Sequence, residues 1–183
     1  MAALPYVPQD LAEPGELVAA IRARRGGTLI NLDRMLLHSP PLAAGWNGYL
    51  RAVRTELAAS PKLRELAICA VAVFNGADYE FGHHAPELLR AGATAAQVDA
   101  LRHLDRGDPD LAPFDADERA VLALTREMTR DVRVAPSTLA AARAALGCDR
   151  HLVEVVATIA TYNMVSRFLV ALGVDPDDDT AAR

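Results

Sequence analysis

Cysteine is nearly absent from this chain: its 183 residues include two, Cys69 and Cys148. They form no C-x-x-C pair and are too few for a zinc ligand set, which excludes a motif dithiol and a structural zinc site. Cys69 has no basic neighbour in sequence to activate its thiol. Lysine is almost missing too. Lys62 is the only one, and arginine supplies the rest of the positive charge. Nineteen basic against twenty-four acidic residues leave a formal net charge of −5. The basic cluster Arg22, Arg24, Arg25 is short and free of aromatics, and reads as the solvated C-terminal end of a helix, where cations meet the favourable end of the dipole. No basic face is offered, so no nucleic-acid partner is expected. Long hydrophobic runs are lacking as well. The longest, Leu66 to Phe74, falls short of the roughly 20 residues that cross a bilayer and reads as a core helix, so no membrane partner is expected. The first residues, Met-Ala-Ala-Leu-Pro, lack a basic region followed by an apolar stretch; no secretory signal is read, and a cytoplasmic location is expected.

What the chain does have is helix signals with clear punctuation. Gly26-Gly27 stops a first helix over 14–25, and a short helix follows near 29–37. Ser39-Pro40 and Ser60-Pro61 each read as an N-cap with proline in the first turn, opening helices through Trp46 and from Lys62 to Phe74. Asn75-Gly76 breaks the second of these, and Asp78 is placed to cap a helix over 79–90. Thr94 with Gln97 and Asp115 with Glu118 have capping-box spacing, predicting helices to about His103 and about Val132. Pro136 opens a helix to Leu146, and Asp149 caps a last long one to about Leu172. Residues 175–183, with Asp175, Asp177, Asp178 and Asp179, are expected to fray. The prediction is an all-α single domain over 1–183, with about eight or nine helices and its core over about 30–173.

The segment 64–84 carries the chemistry. Glu65 opens an apolar helix, and the next helix begins with a carboxylate and two histidines. Glu80 and His84 are four apart and share one helical face, as do Tyr79 and His83. A carboxylate beside an imidazole can hold its tautomer and raise its basicity, as a proton shuttle near neutral pH requires. Glu65 has two readings. Facing inward, it is a general acid or base with a pKa raised by desolvation; facing outward, it is a first-turn glutamate stabilised by the helix dipole. Glu80 has the same pair of readings.

The segment resembles the core motif of the carboxymuconolactone decarboxylase and alkylhydroperoxidase D superfamily. The peroxidase branch carries Glu, eleven residues, Cys, two residues, Cys, three residues, His. On this chain those positions are Glu65, Ala77, Glu80 and His84. Both cysteines are lost, and the run Asn-Gly-Ala-Asp-Tyr-Glu-Phe-Gly-His-His instead resembles the decarboxylase-like branch. The likeness extends to His38–Leu42 with Trp46, to Ala91–Thr94, to Asp117–Leu122, and to Glu154, Tyr162-Asn163 and Arg167. The resemblance implies a cofactor-free decarboxylase-like enzyme that acts on a small carboxylated lactone or related acid. It casts His84 as proton donor, Glu80 as the group orienting it, and Glu65 as partner acid or base. His83, Tyr79, Asn163, Arg167 and Trp46 become candidates for substrate contact. It also implies a homo-oligomer, trimer or hexamer. Thiol peroxidase chemistry is disfavoured, because it needs an attacking thiolate and a resolving thiol. Two other readings stay open: metal binding through Glu80-x-x-His83, the spacing used in di-iron bundles, and a non-catalytic protein that keeps the fold.

Overall fold

Proline and local capping set most of the helix starts. The computed structural model describes residues 2–177, and among them nine helices and no strand occur. They are α1 (Gly15–Arg24), α2 (Asn31–Leu36), α3 (Pro40–Thr55), α4 (Pro61–Phe74), α5 (Asp78–Arg90), α6 (Ala95–Leu101), α7 (Ala116–Arg130), α8 (Pro136–Leu146) and α9 (Asp149–Leu172). Pro40, Pro61 and Pro136 each take the first helical position, where a missing N–H costs no hydrogen bond. Both capping boxes form. Thr94 Oγ1 accepts from Gln97 N at 3.2 Å while Gln97 Oε1 accepts from Thr94 N at 3.0 Å. Asp115 and Glu118 do the same at 2.8 and 2.9 Å. Two expectations are corrected. Asp78 lies inside α5, whose N-cap is Ala77 with no side-chain cap. Helix α7 stops at Arg130 because Val132 adopts a left-handed φ of 64°.

The described residues fall into two compact units, the first built from the chain up to Glu56 and from Ala171 onward, the second from Leu57 to Val170. In the first, α1, α2 and α3 bury Val18, Ile21, Met35, Trp46 and Leu50. The basic cluster at the end of α1 differs from its sequence reading. Arg24 and Arg25 close on the buried Asp33, with Arg25 Nε 3.0 Å from its carboxylate. The acidic tail is also held where it is described. Asp175 Oδ2 accepts from Ala2 N at 3.1 Å and from Tyr6 Oη at 3.2 Å, and Asp177 Oδ1 accepts from Asn31 N at 2.6 Å. Asp178, Asp179 and the residues after them lie outside the described residues.

The second unit is organised around α4. Leu66 through Ala72 are all buried, so this helix is apolar around its circumference, as a central helix must be. Leu66, Cys69 and Ala70 share a core with Phe81, Leu88, Leu101, Phe114 and Leu122. One further expectation is corrected: α9, at 24 residues, is long and apolar enough by length and composition to cross a membrane. It also buries Glu154, Thr158, Thr161 and Ser166, a polar content suited to a helix packed against protein.

Candidate active site

The turn between α4 and α5 sets the geometry of the site. Asn75 caps α4, and Gly76 takes a φ of 63°, a conformation glycine adopts without steric penalty. Ala77 N donates to Ala72 O at 2.8 Å and Gly76 N donates to Val73 O at 3.1 Å, the paired bonds of a Schellman motif. The chain reverses there, and α4 and α5 pack against each other as neighbours. The acid in the second turn of α4 is thereby brought level with the imidazole in the second turn of α5.

Glu65 Oε2 lies 2.6 Å from His84 Nδ1. The length is that of a charge-assisted hydrogen bond, with Nδ1–H donating to the carboxylate. The His84 side chain is 6% exposed and that of Glu65 is 16% exposed, so the pair is shielded while its acid edge still reaches solvent. Tyr162 of α9 presents its ring edge-on to the imidazole, at 4.8 Å between centroids and 85° between planes. Tyr162 was part of the sequence resemblance but was not singled out as a site residue. An aromatic in an apolar helix reads as core, and only the fold brings it to His84.

Glu80 departs from its expected role. It sits one turn before His84 on the same helix, yet neither of its oxygens has a hydrogen-bond partner. Glu65 orients His84 instead. Spacing of four fixes a shared face but not which side chain turns toward which. Glu80 is 2% exposed, and burial pushes its carboxyl well above the ordinary carboxylate range. Burial there favours the neutral form of the carboxyl over the charged one. Cys69 is fully buried; burial, together with Glu65 and Glu80, pushes its thiol far up. Thiolate formation there is suppressed.

The remaining candidates scatter. Tyr79 is buried and stacks at 4.5 Å on His83, which is exposed. Asn163 is committed to structure: its amide donates to Thr129 Oγ1 at 2.9 Å and Ile159 O at 3.0 Å, and its Oδ1 accepts from Asn75 at 3.1 Å. Exposed Arg167 donates to Asn163 O at 2.9 Å and also to Asn163 Oδ1. Trp46 is buried in α3, in the first unit. The di-iron spacing gathers no ligand set, since Glu80 faces the interior while His83 is exposed. Among the described residues no group of three or more His, Cys, Asp or Glu is arranged to hold a metal ion.

A helical protein built around a central α4–α5 pair, with an acid–imidazole couple across it, is the class these features define. Residues 40–109, which contain Glu65, Ala77, Glu80 and His84, match the model of the carboxymuconolactone decarboxylase family. Solved structures share the fold. A peroxidase-related protein from Silicibacter sp. TM1040 is 17% identical with a TM-score of 0.79, over 100% of this chain and 95% of that one. An alkylhydroperoxidase AhpD core protein from Ralstonia eutropha JMP134 is 19% identical with a TM-score of 0.77, over 98% and 94%. The debrominase Bmp8, carrying a cysteine-to-alanine substitution and in complex with 2,3,4-tribromopyrrole, is 15% identical with a TM-score of 0.76, over 100% and 96%. No curated protein matches the chain. Over residues 40–109 the chain is thus similar to the carboxymuconolactone decarboxylase family, and its fold is the one these alkylhydroperoxidase D-like structures share.

Proposed function

We propose that this protein is an acid–base enzyme of the decarboxylase-like branch, acting on a small carboxylated lactone or a related acid without thiol chemistry. The observation that carries the reading is the 2.6 Å contact between Glu65 and His84 in a shielded site. Glu65 accepts Nδ1–H and fixes the tautomer, so Nε2 is the nitrogen that exchanges a proton with the substrate. As the substrate carboxylate leaves as carbon dioxide, its bonding pair moves into a conjugated carbonyl as an enolate. Protonated His84 then delivers its Nε2 proton to carbon, and Glu65 stabilises the imidazolium beforehand. Burial shifts Glu80 toward its neutral form, which lessens the negative charge that would oppose an anionic substrate. Peroxide reduction is disfavoured because the two cysteine positions hold Ala77 and Glu80 and Cys69 is suppressed as a nucleophile. The reading includes a cytoplasmic homo-oligomer, trimer or hexamer. Val153, Met164 and Val170, exposed apolar residues of α9, are consistent with a subunit contact.

The test is turnover of a carboxylated γ-lactone in deuterium oxide. The product should carry one deuterium on the carbon that lost carbon dioxide, and Glu65→Gln and His84→Asn should each slow its formation by about 10²-fold or more. Thiol-dependent peroxide reduction that survives both substitutions would overturn the reading.

A further inference from the structure

A cavity in the unit formed by residues 57–170, of about 780 Å³, is walled by Arg106, Arg119, Arg126 and Arg130. None of Glu65, Glu80 and His84 lines it. Three of the arginines come from one stripe of α7. Positions 119, 126 and 130 are separated by seven and then four residues, which keeps them on one helical face. The opposite face carries Val121, Leu124 and Thr125 into the core. Arg106 approaches from the loop between α6 and α7. Beneath the guanidinium groups the floor is apolar, formed by Phe74, Leu104, Leu111 and Leu122.

The charges in this cavity do not cancel. Four arginines face Asp105 and Glu127, leaving an excess of two positive charges on the lining of a chain whose net charge is −5. Among the described residues, none of the four arginines forms an ion pair. Glu127 is already committed: its carboxylate accepts from Thr138 Oγ1 at 2.6 Å and Ala135 N at 2.7 Å. Arg119 gives its Nε to Leu111 O at 3.1 Å, which orients the guanidinium and leaves its terminal nitrogens to other acceptors. Arg130 lies over the Phe74 ring, with its central carbon 5.6 Å from the centroid. Stacked and tethered guanidinium groups are pre-organised donors, and the guanidinium fork matches a carboxylate in a bidentate manner.

We propose that this cavity is a binding site for a small amphipathic carboxylate, distinct from the Glu65–His84 site. The acid group is taken by Arg119 and Arg126, and the apolar body lies on Phe74 and Leu122. An inorganic anion would use the arginines and waste the floor; a neutral hydrocarbon would do the reverse.

Calorimetric titration of the full chain with naphthoate tests this, with naphthalenemethanol and inorganic phosphate as the neutral and non-apolar controls. Naphthoate should bind more tightly than either control. Arg119→Ala and Arg126→Ala should each weaken it roughly tenfold, Arg126→Lys should weaken it less, and His84→Asn should leave it unchanged. These arginines are exposed, and circular dichroism checks that each variant keeps its helices. The proposal is overturned if naphthoate does not bind, if either control binds as tightly, if the arginine substitutions have no effect, or if His84→Asn removes the binding.

Discussion

Glu80 and Glu154 are both glutamates buried in the helical unit of residues 57–170, 2% and 8% exposed, and they live opposite lives. Glu154 stands in the second turn of α9. Its Oε2 accepts from Ala58 N at 2.8 Å and Ala59 N at 2.7 Å, and its Oε1 from Arg150 Nε at 2.9 Å. Burial alone would push its carboxyl up, but the Ala59, Arg150 and Ala58 donors together hold it below the ordinary value. Glu118 is also engaged: its Oε2 accepts from Gln97 Nε2 at 2.7 Å and Asp115 N at 2.9 Å, and its Oε1 forms an ion pair with the Lys62 ammonium at 2.6 Å. Glu80 has none of this. A buried carboxyl with donors all round is mortar. One without donors is retained against its cost, and it sits one turn from the Glu65–His84 couple. Carboxyls perturbed by burial cluster at functional sites, which supports the proposed site rather than a purely structural role for Glu80.

The largest effect expected from this contrast is on turnover. Glu65→Gln and His84→Asn should each lower kcat by about 10²- to 10⁴-fold while thermal unfolding stays close to that of the parent, as removal of a positioned acid or base does. Next comes Glu154→Ala, which strands the N–H groups of Ala58 and Ala59 and should destabilise the fold by about 2–4 kcal/mol in chemical denaturation at neutral pH. Because the native pKa of Glu154 is depressed, its contribution is present above the unfolded carboxylate value and fades as pH falls through the native one. The penalty of this variant should therefore shrink in acid.

Glu80→Met should move stability the other way. The native pKa of Glu80 is raised, so folding takes up a proton once pH exceeds the unfolded value, and stability is lost as pH rises toward the native one. Replacing the carboxyl by an apolar side chain of similar volume should stabilise the protein by about 1–3 kcal/mol at neutral pH. The gain should shrink below the unfolded value, where only the cost of burying an unpartnered neutral carboxyl remains, and denaturation curves across that range check it. The smallest effect belongs outside the comparison and calibrates it. Val132 is 81% exposed with a left-handed φ of 64°, and Val132→Gly should stabilise by about 1 kcal/mol, read from the melting temperature.

The parts of this fold written in short stretches of sequence were legible. Proline at a first turn, the Thr94–Gln97 and Asp115–Glu118 boxes and the Asn75-Gly76 break involve residues within a few positions of each other, and their geometry follows from the backbone. Glu65 and His84 were legible as residues through the motif, but not as a couple. Their contact joins residues 19 apart, through a turn whose exact reversal sets who meets whom. Helical spacing therefore paired His84 with the wrong carboxylate. The fate of Glu154 was beyond local reading for the same reason, since its backbone partners lie 95 and 96 residues away. The closing of Arg24 and Arg25 on Asp33 likewise needs a chain reversal between α1 and α2 that no periodicity announces. Nor did the sequence suggest that Asn163, a substrate-contact candidate, would be consumed in joining α9 to the end of α4 and to α7.

The contrast between the two glutamates reduces to one observable, the protonation of their carboxyls at neutral pH. Carbon-13 NMR titration of the glutamate side chains, assigned with Glu80→Gln and Glu154→Gln, reads both in one experiment. The account predicts that Glu80 remains protonated through neutral pH while Glu154 ionises below the ordinary carboxylate range. A Glu80 that titrates at or below that range, alongside Glu154, would contradict it.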